Sequence, residues 1–547
     1  MNYELSALGG VFLKGLFDNT LLLARLILRR ERVSAVVWIL VTGLFLALIV
    51  SLFGQAMDDE SRMEMAAVIM NPAMIAMVGP AYGLDNFTIG AMMSVMMLVF
   101  TAIAVVVMNI LFVVRHTRAD EEMGRYEVVR SLPTGRLANI NATMIAAAIV
   151  NIVMSLFVGL CMYFATPDAS VTFGGSMLWG ALMGVSGIVF AAIAALFSQL
   201  SSSSRGAKGL SFFAMSVFYL MRAIGDVSAE PLSLISPLGM ILRAEPYVSD
   251  RWWPVFAMLA ISVPIAVIAY ALNYTRDINQ GLLPDRKGKA EGGRLLRTTF
   301  GLSVRLLMFG LVIGALTVFS IGASYGTVMG DIEGFVETNE MYQQLLLTVP
   351  GYSLPLLFAG MINFIGAMIA LVPVLLYILK ARGEEKDGRT ELVLSTQVCR
   401  YKYLGGYAII AFASSVVFQA LTAFGLWVST TAVIPDPSLF PLGDVMVGNL
   451  VYLPAIWVMI GLAVFLIGFA PKRTGLVWAA YGYVFFMSFI GRLPDVLPGF
   501  TKYFNPFGVI AQFPMEEVSF PALGVLTVIA VCLTAGGFLF YGRRDIA

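Results

Sequence analysis

At 547 residues the chain is 59% hydrophobic and 13% charged, with a mean hydropathy of +0.85, which excludes a soluble globular domain. A formal net charge of +1 gives no basis for a nucleic-acid partner, and a single histidine, His116, leaves His-based metal or proton chemistry almost nothing to work with. The three cysteines suggest no disulfide framework, since Cys161 and Cys532 fall in apolar stretches and Cys399 in a charged one.

Residues 1–10 carry neither a basic n-region nor a cleavable apolar core, so no signal peptide is expected. Over 12–32, Phe12, Leu16, Leu23, Leu26 and Ile27 are spaced for one helical face, with Arg25, Arg29, Arg30 and Arg32 following. That pattern predicts an amphipathic helix lying on the membrane surface. Runs of about 20 apolar residues, the length that crosses a bilayer, fall near 33–54, 88–114, 138–165, 174–199, 208–225 and 254–273. A second set falls near 304–326, 355–379, 403–430, 447–469, 474–491 and 520–541. The fold class is thus an all-α polytopic membrane protein of twelve transmembrane helices. The outside segment after the first span holds Met57, Met63, Met65, Met70, Met74 and Met77, which reads either as the apolar face of a packed helix or as a soft-metal site.

A charged stretch occurs twice. Arg118 to Arg136 aligns without a gap on Arg382 to Arg400, 264 residues later, with eight of nineteen positions identical and a shared E-x-x-G-R-x-E core. Ser236-Pro237-Leu238-Gly239 is echoed by Asn505-Pro506-Phe507-Gly508, and Arg276-Asp277-Ile278 by Arg544-Asp545-Ile546. A period near half the length implies a duplication: a first six-span half over 1–273, a linker over 274–302 and a second half over 303–547. With both termini cytoplasmic, most of the 35 Lys and Arg lie inside, as positive charge is expected to do. Six spans per half make the repeats parallel, and both charged loops are then cytoplasmic.

The loops carry Arg118, Glu121, Gly124, Arg125 and Glu127, then Arg382, Glu385, Gly388, Arg389 and Glu391. Glu121–Arg125 and Glu385–Arg389 stand at i,i+4, so each pair could stabilise its own solvated helix by a few tenths of a kcal/mol. That reading does not account for the repeated Gly and distal Glu. A helix docking into a soluble motor does. No phosphate-binding G-x-x-x-x-G-K-[ST] occurs, and the spans hold almost no charge beyond Arg222 and Arg492, with Asp226 and Asp495 nearby.

The surface helix, the E-x-x-G-R-x-E loop after span 2, Arg222-Ala223-Ile224-Gly225-Asp226 and Ser-Pro-Leu-Gly resemble permeases of the ABC-2 exporter type. The resemblance covers nearly the whole chain and is nearest to the fused twelve-span permeases of the tetronasin/polyketide antibiotic exporter group in Gram-positive bacteria. It implies a multi-pass protein of the bacterial plasma membrane that exports lipophilic compounds. It implies no catalytic residue and no cofactor in this chain. ATP and Mg would be handled by two copies of a cytoplasmic ABC ATPase docked on the loops. Spans 2 and 5 of each half would line the substrate cavity: Met93, Met97, Phe100, Phe212, Phe213 and Tyr219, then Phe358, Asn363, Phe364, Trp478, Tyr481 and Phe485. Such side chains suit a repackable apolar site, and serve equally as core or lipid-facing residues. An ion-coupled carrier of 6+6 spans is the alternative, although the Asp-Arg expected before Gly124-Arg125 in its loop motif is missing.

Overall fold

Three of the long helices start on a hydroxyl residue. Thr88 Oγ1 accepts the Ala91 amide (3.3 Å), Thr172 Oγ1 the Gly175 amide (3.1 Å) and Ser203 Oγ the Gly206 amide (3.1 Å), each satisfying a donor that the first helical turn leaves free. The computed structural model describes residues 15–57, 59–70, 72–283, 292–331, 352–490 and 505–545, and among them no strand occurs. Arg492, Asp495, Asp58, Ile546 and residues 284–291 of the linker lie outside the described residues.

The chain divides into two compact units, Met1–Lys287 and Gly288–Ala547. In the first, α1 (Thr20–Ala56) leads through α2 (Asp59–Ile69) and α3 (Pro72–Val78) to α4 (Ile89–Val114), the short α5 (Arg125–Arg130), α6 (Ala138–Phe164), α7 (Phe173–Leu200), α8 (Ser204–Ser228) and α9 (Trp253–Thr275). The second runs α10 (Thr299–Thr327), α11 (Leu354–Lys386), α12 (Arg389–Leu394), α13 (Arg400–Val433), α14 (Leu442–Leu450), α15 (Leu453–Phe469), α16 (Leu476–Ile490) and α17 (Phe520–Arg543).

Among the described residues eleven helices are long and apolar enough to cross a membrane. The expected span at 474–491 is described as α16 as far as Ile490, where this stretch of described residues ends. One expectation changes: the surface helix is not a separate element. No glycine or proline interrupts Thr20 to Thr42, and α1 continues unbroken for 37 residues, with Arg30 and Glu31 bound to the end of α4.

Close helix packing comes from small residues, as lipid offers no hydrophobic drive between helices. A Cβ on Gly180 would strike the Ser155 carbonyl of α6, and one on Gly187 the Asn151 amide. That amide exchanges hydrogen bonds with Asn109 of α4 (3.0 and 2.7 Å), joining three helices at a buried polar point. In the second unit Gly322 and Gly326 of α10 sit against Thr422 and Leu426 of α13, and Gly468 of α15 against Gly537 of α17. Met57 and Met65 pack on the first core, while Met63, Met70 and Met77 are exposed.

Candidate functional site: two clamped loops

The loop after α4 is not a free turn. Glu121 is buried and receives a fork from Arg276, with Nη1 to Oε1 at 2.7 Å and Nη2 to Oε2 at 2.6 Å. Arg118 Nη1 (3.0 Å) and the Asn279 amide (2.7 Å) add two more donors. Arg276 is held in turn by the Gln199 side-chain oxygen (2.7 Å), and its carbonyl accepts from Arg136 (3.2 Å). A carboxylate with four donors and a bidentate guanidinium is a strong, geometrically specific contact.

The second unit builds the same knot from the same residue types. Arg544 forks onto Glu385 at 2.7 and 2.5 Å, Arg382 adds a third donor at 2.7 Å, and Arg400 donates to the Arg544 carbonyl at 2.8 Å. The predicted Arg118–Glu121 and Arg382–Glu385 residues therefore meet, and each meets an arginine just past the last helix of its unit. Sequence reasoning passed over that partner, although the Arg-Asp-Ile echo signalled it.

The i,i+4 pairs do not form. Gly124 (φ +71°) and Gly388 (φ +73°) adopt the left-handed conformation that glycine reaches at least cost and break the helix between the glutamate and the following arginine. No side chain lies within 4 Å of a Cβ built on either, so backbone conformation rather than space explains both glycines. Arg125 binds Asp120 (2.7 Å) instead, and Arg389 binds Glu384 and Asp387. The hydrogen bond from Arg389 to Glu384 holds that guanidinium above its ordinary pKa, and burial pushes the Tyr126 hydroxyl up.

What each loop turns outward is Arg125, Glu127 and Val128 in the first, and Arg389, Glu391 and Leu392 in the second. Val128 is 68% exposed and Leu392 72%, at matching places on α5 and α12. Glu127 also accepts from Asn279 (2.8 Å), and Glu122 caps α8 through the Ser204 amide (2.9 Å). A polar cavity of about 340 Å³ opens here, lined by Arg118, Glu122, Glu127, Ser202 and Asn279 among others.

The aromatic and Met side chains expected around a cavity are dispersed. Met93 is buried, and Met97, Phe212 and Tyr219 pack against the same core, whereas Phe100 and Phe213 are exposed. Tyr219 donates to the Met77 carbonyl (3.2 Å) and lies under the Arg222 guanidinium (4.5 Å). In the second unit Asn363 accepts from Asn449 (3.1 Å), Phe364 meets Phe507 edge-on, and Phe358 packs against the cluster around Leu356 and Phe440. Tyr481 donates to the Met368 carbonyl (3.2 Å) and lies between Trp478 and Phe485. None of these residues lines the polar cavity or an apolar groove of about 360 Å³ between α6, α7 and α9, where Met144, Ala192, Val263 and Tyr270 sit.

The family described as "Multidrug efflux system permease Rv1217c, C-terminal domain" matches residues 23–272 and 296–542. The multidrug efflux system permease protein Rv1217c of Mycobacterium tuberculosis (strain ATCC 25618 / H37Rv) is 31% identical over 535 residues, covering 97% of this chain and 96% of that protein. Both clamps fall inside the matched stretches or within seven residues of their ends, and the chain, a multi-pass membrane protein, belongs to the Rv1217c multidrug efflux permease family.

Proposed function

We propose that this chain is the transmembrane permease of an ATP-driven exporter of the ABC-2 type, moving amphipathic and lipophilic compounds out of a bacterial cell. A separate ABC ATPase dimer, binding ATP and Mg, supplies the energy. The observation that carries this reading is the outward face of the two clamped loops. A single exposed aliphatic residue is ordinary on any surface. Two of them, each beside an Arg and a Glu on a loop fastened by a buried carboxylate, fit a pair of docking helices better than solvated turns. Membership of a multidrug efflux permease family supports export of drugs.

In this reading the chain has twelve crossings in two parallel six-span halves, with α16 as the eleventh crossing. Both termini and both loops are cytoplasmic, in the plasma membrane, because that orientation puts most Lys and Arg inside. The purified chain alone hydrolyses no ATP, and activity appears with the partner ATPase. Val128→Asp combined with Leu392→Asp abolishes co-purification of that ATPase and leaves the melting temperature of the permease unchanged. A complex that survives the double substitution refutes docking at these helices. Export that needs no ATPase and stops with a protonophore would identify the ion-coupled carrier instead.

The substrate is lipophilic, because the spans offer aromatics, methionines and a few amides but almost no charge to pair with an ion. Desolvating an unpaired charge there costs several kcal/mol. Cells expressing the permease with its ATPase resist lipophilic antibiotics or ionophores, and such compounds stimulate ATPase activity in nanodiscs. Stimulation by small hydrophilic ions alone would overturn this assignment.

A further inference from the structure

His116 takes no part in the clamp or the outward face. It lies in the π-helical turn Arg115–Ala119 that ends α4, fully buried. Its Nε2 is 3.0 Å from Glu31 Oε1 on α1. Its Nδ1 has no hydrogen-bond partner and lies 3.7 Å from Asp120 Oδ2. Both carboxylates are themselves engaged: Glu31 takes Arg115 (2.8 Å), and Asp120 takes Arg30 (2.7 Å) and Arg125 (2.7 Å). Asn139 and Thr143 of α6 bond the His116 carbonyl, and the Phe112 ring lies 5.1 Å away.

A neutral imidazole has one N–H and can serve one carboxylate, whereas an imidazolium has two and can serve both. The second unit shows the same acid held differently. At the 264-residue offset His116 corresponds to Lys380, Asp120 to Glu384 and Arg125 to Arg389. Lys380 Nζ lies 2.5 Å from Glu384, which also binds Arg389. One loop is thus fastened by an ammonium, and the other by an imidazole, which carries one N–H or two.

We propose that His116, set between Glu31 and Asp120, is a proton-binding site that governs how firmly the first loop is fastened to α1. A proton taken up at Nδ1 supplies the second N–H, which closes onto Asp120 while Nε2 donates to Glu31. Loss of that proton leaves Asp120 to Arg30 and Arg125 alone, and loosens the Arg125 end of the outward face. The second loop, held by Lys380, does not respond. The effect on transport rests on the loops being docking elements; the local effect does not.

The test is hydrogen exchange by mass spectrometry on the full chain in lipid nanodiscs at pH 5.5 and 8.0, corrected for the intrinsic pH dependence of exchange. Peptides spanning 115–130 should be about tenfold better protected at pH 5.5, the scale of one charge-assisted hydrogen bond, and those spanning 379–394 equally protected at both. His116→Lys should hold the first loop protected at both pH values, and His116→Gln at neither. Equal responses of the two loops in the wild type, or a wild-type pH contrast surviving in either variant, overturns the proposal. With the ATPase bound, His116→Lys should also flatten the pH profile of drug-stimulated hydrolysis. Failure to find any ATPase partner would count against the exporter reading, while the exchange measurement would still decide the proton site by itself.

Discussion

Arg276→Ala should cripple the permease as severely as Glu121→Ala, although the two positions lie 155 residues apart. Removing either partner leaves the other buried without its fork, and breaking a buried ion pair costs about 3–5 kcal/mol. The double variant should cost little more than either single one, because both remove the same contact and their effects cannot add. Arg125→Ala provides the contrast: half-exposed and bound only within its own loop, to Asp120 and the Met123 sulfur, it should cost no more than about 1 kcal/mol. Apparent melting temperatures of the purified variants in detergent, with yield of folded protein, read this out. Arg544→Ala and Glu385→Ala should behave the same way in the second unit. Additive losses, or an unchanged melting temperature for Arg276→Ala, would show that the clamp does not hold the loop. This geometry also separates two kinds of loop variant. Substitutions at Glu121 or Glu385 act first through folding, whereas Val128 and Leu392 can report on docking without disturbing the clamp.

Arg222→Leu should be the most damaging substitution within a span. Arg222 is fully buried on α8 and donates to the carbonyls of Ala76 (2.8 Å) and Met77 (3.1 Å), which end α3. It also lies 3.4 Å from Asp226, which accepts from Ser233 (2.6 Å). Leucine would leave Asp226 to Ser233 and to Arg243 at 3.6 Å, and several helix-terminal carbonyls without their donor, a loss of about 3–5 kcal/mol. Arg222→Lys should rescue little, since a single ammonium cannot reproduce a planar fork shared among carbonyls and a carboxylate. Asp226→Asn on top of Arg222→Leu should recover part of the loss by removing a buried charge that has lost its nearer arginine. A melting temperature for Arg222→Leu within error of wild type would show that the carbonyls find other donors. The Arg-Ala-Ile-Gly-Asp motif is explained at both ends by these contacts: Gly225 lets the Ser233 backbone approach so closely that no side chain fits between.

Long apolar runs determine the helices and most of their bounds on their own, because a segment that must satisfy its backbone in lipid has few alternatives. The starts of α4, α6, α7 and α9 differ from their apolar runs by at most a residue. The repeated Glu, Gly and Arg are equally plain in the sequence, as is the belonging of each to one loop. What the sequence pattern leaves open is partnership. Period and spacing put Glu121 beside Arg125, yet a glycine in the left-handed conformation separates them, and Arg276 reaches the carboxylate from the far end of the unit. The unbroken course of α1 is likewise invisible to local pattern, since a run of arginines looks like a surface until Arg30 and Glu31 find Asp120 and His116. Apolar length and periodicity act along the chain and can be read there. Which charge meets which, and whether Val128 faces water or core, depends on contacts between segments far apart in the chain, and those exist only once the helices have packed.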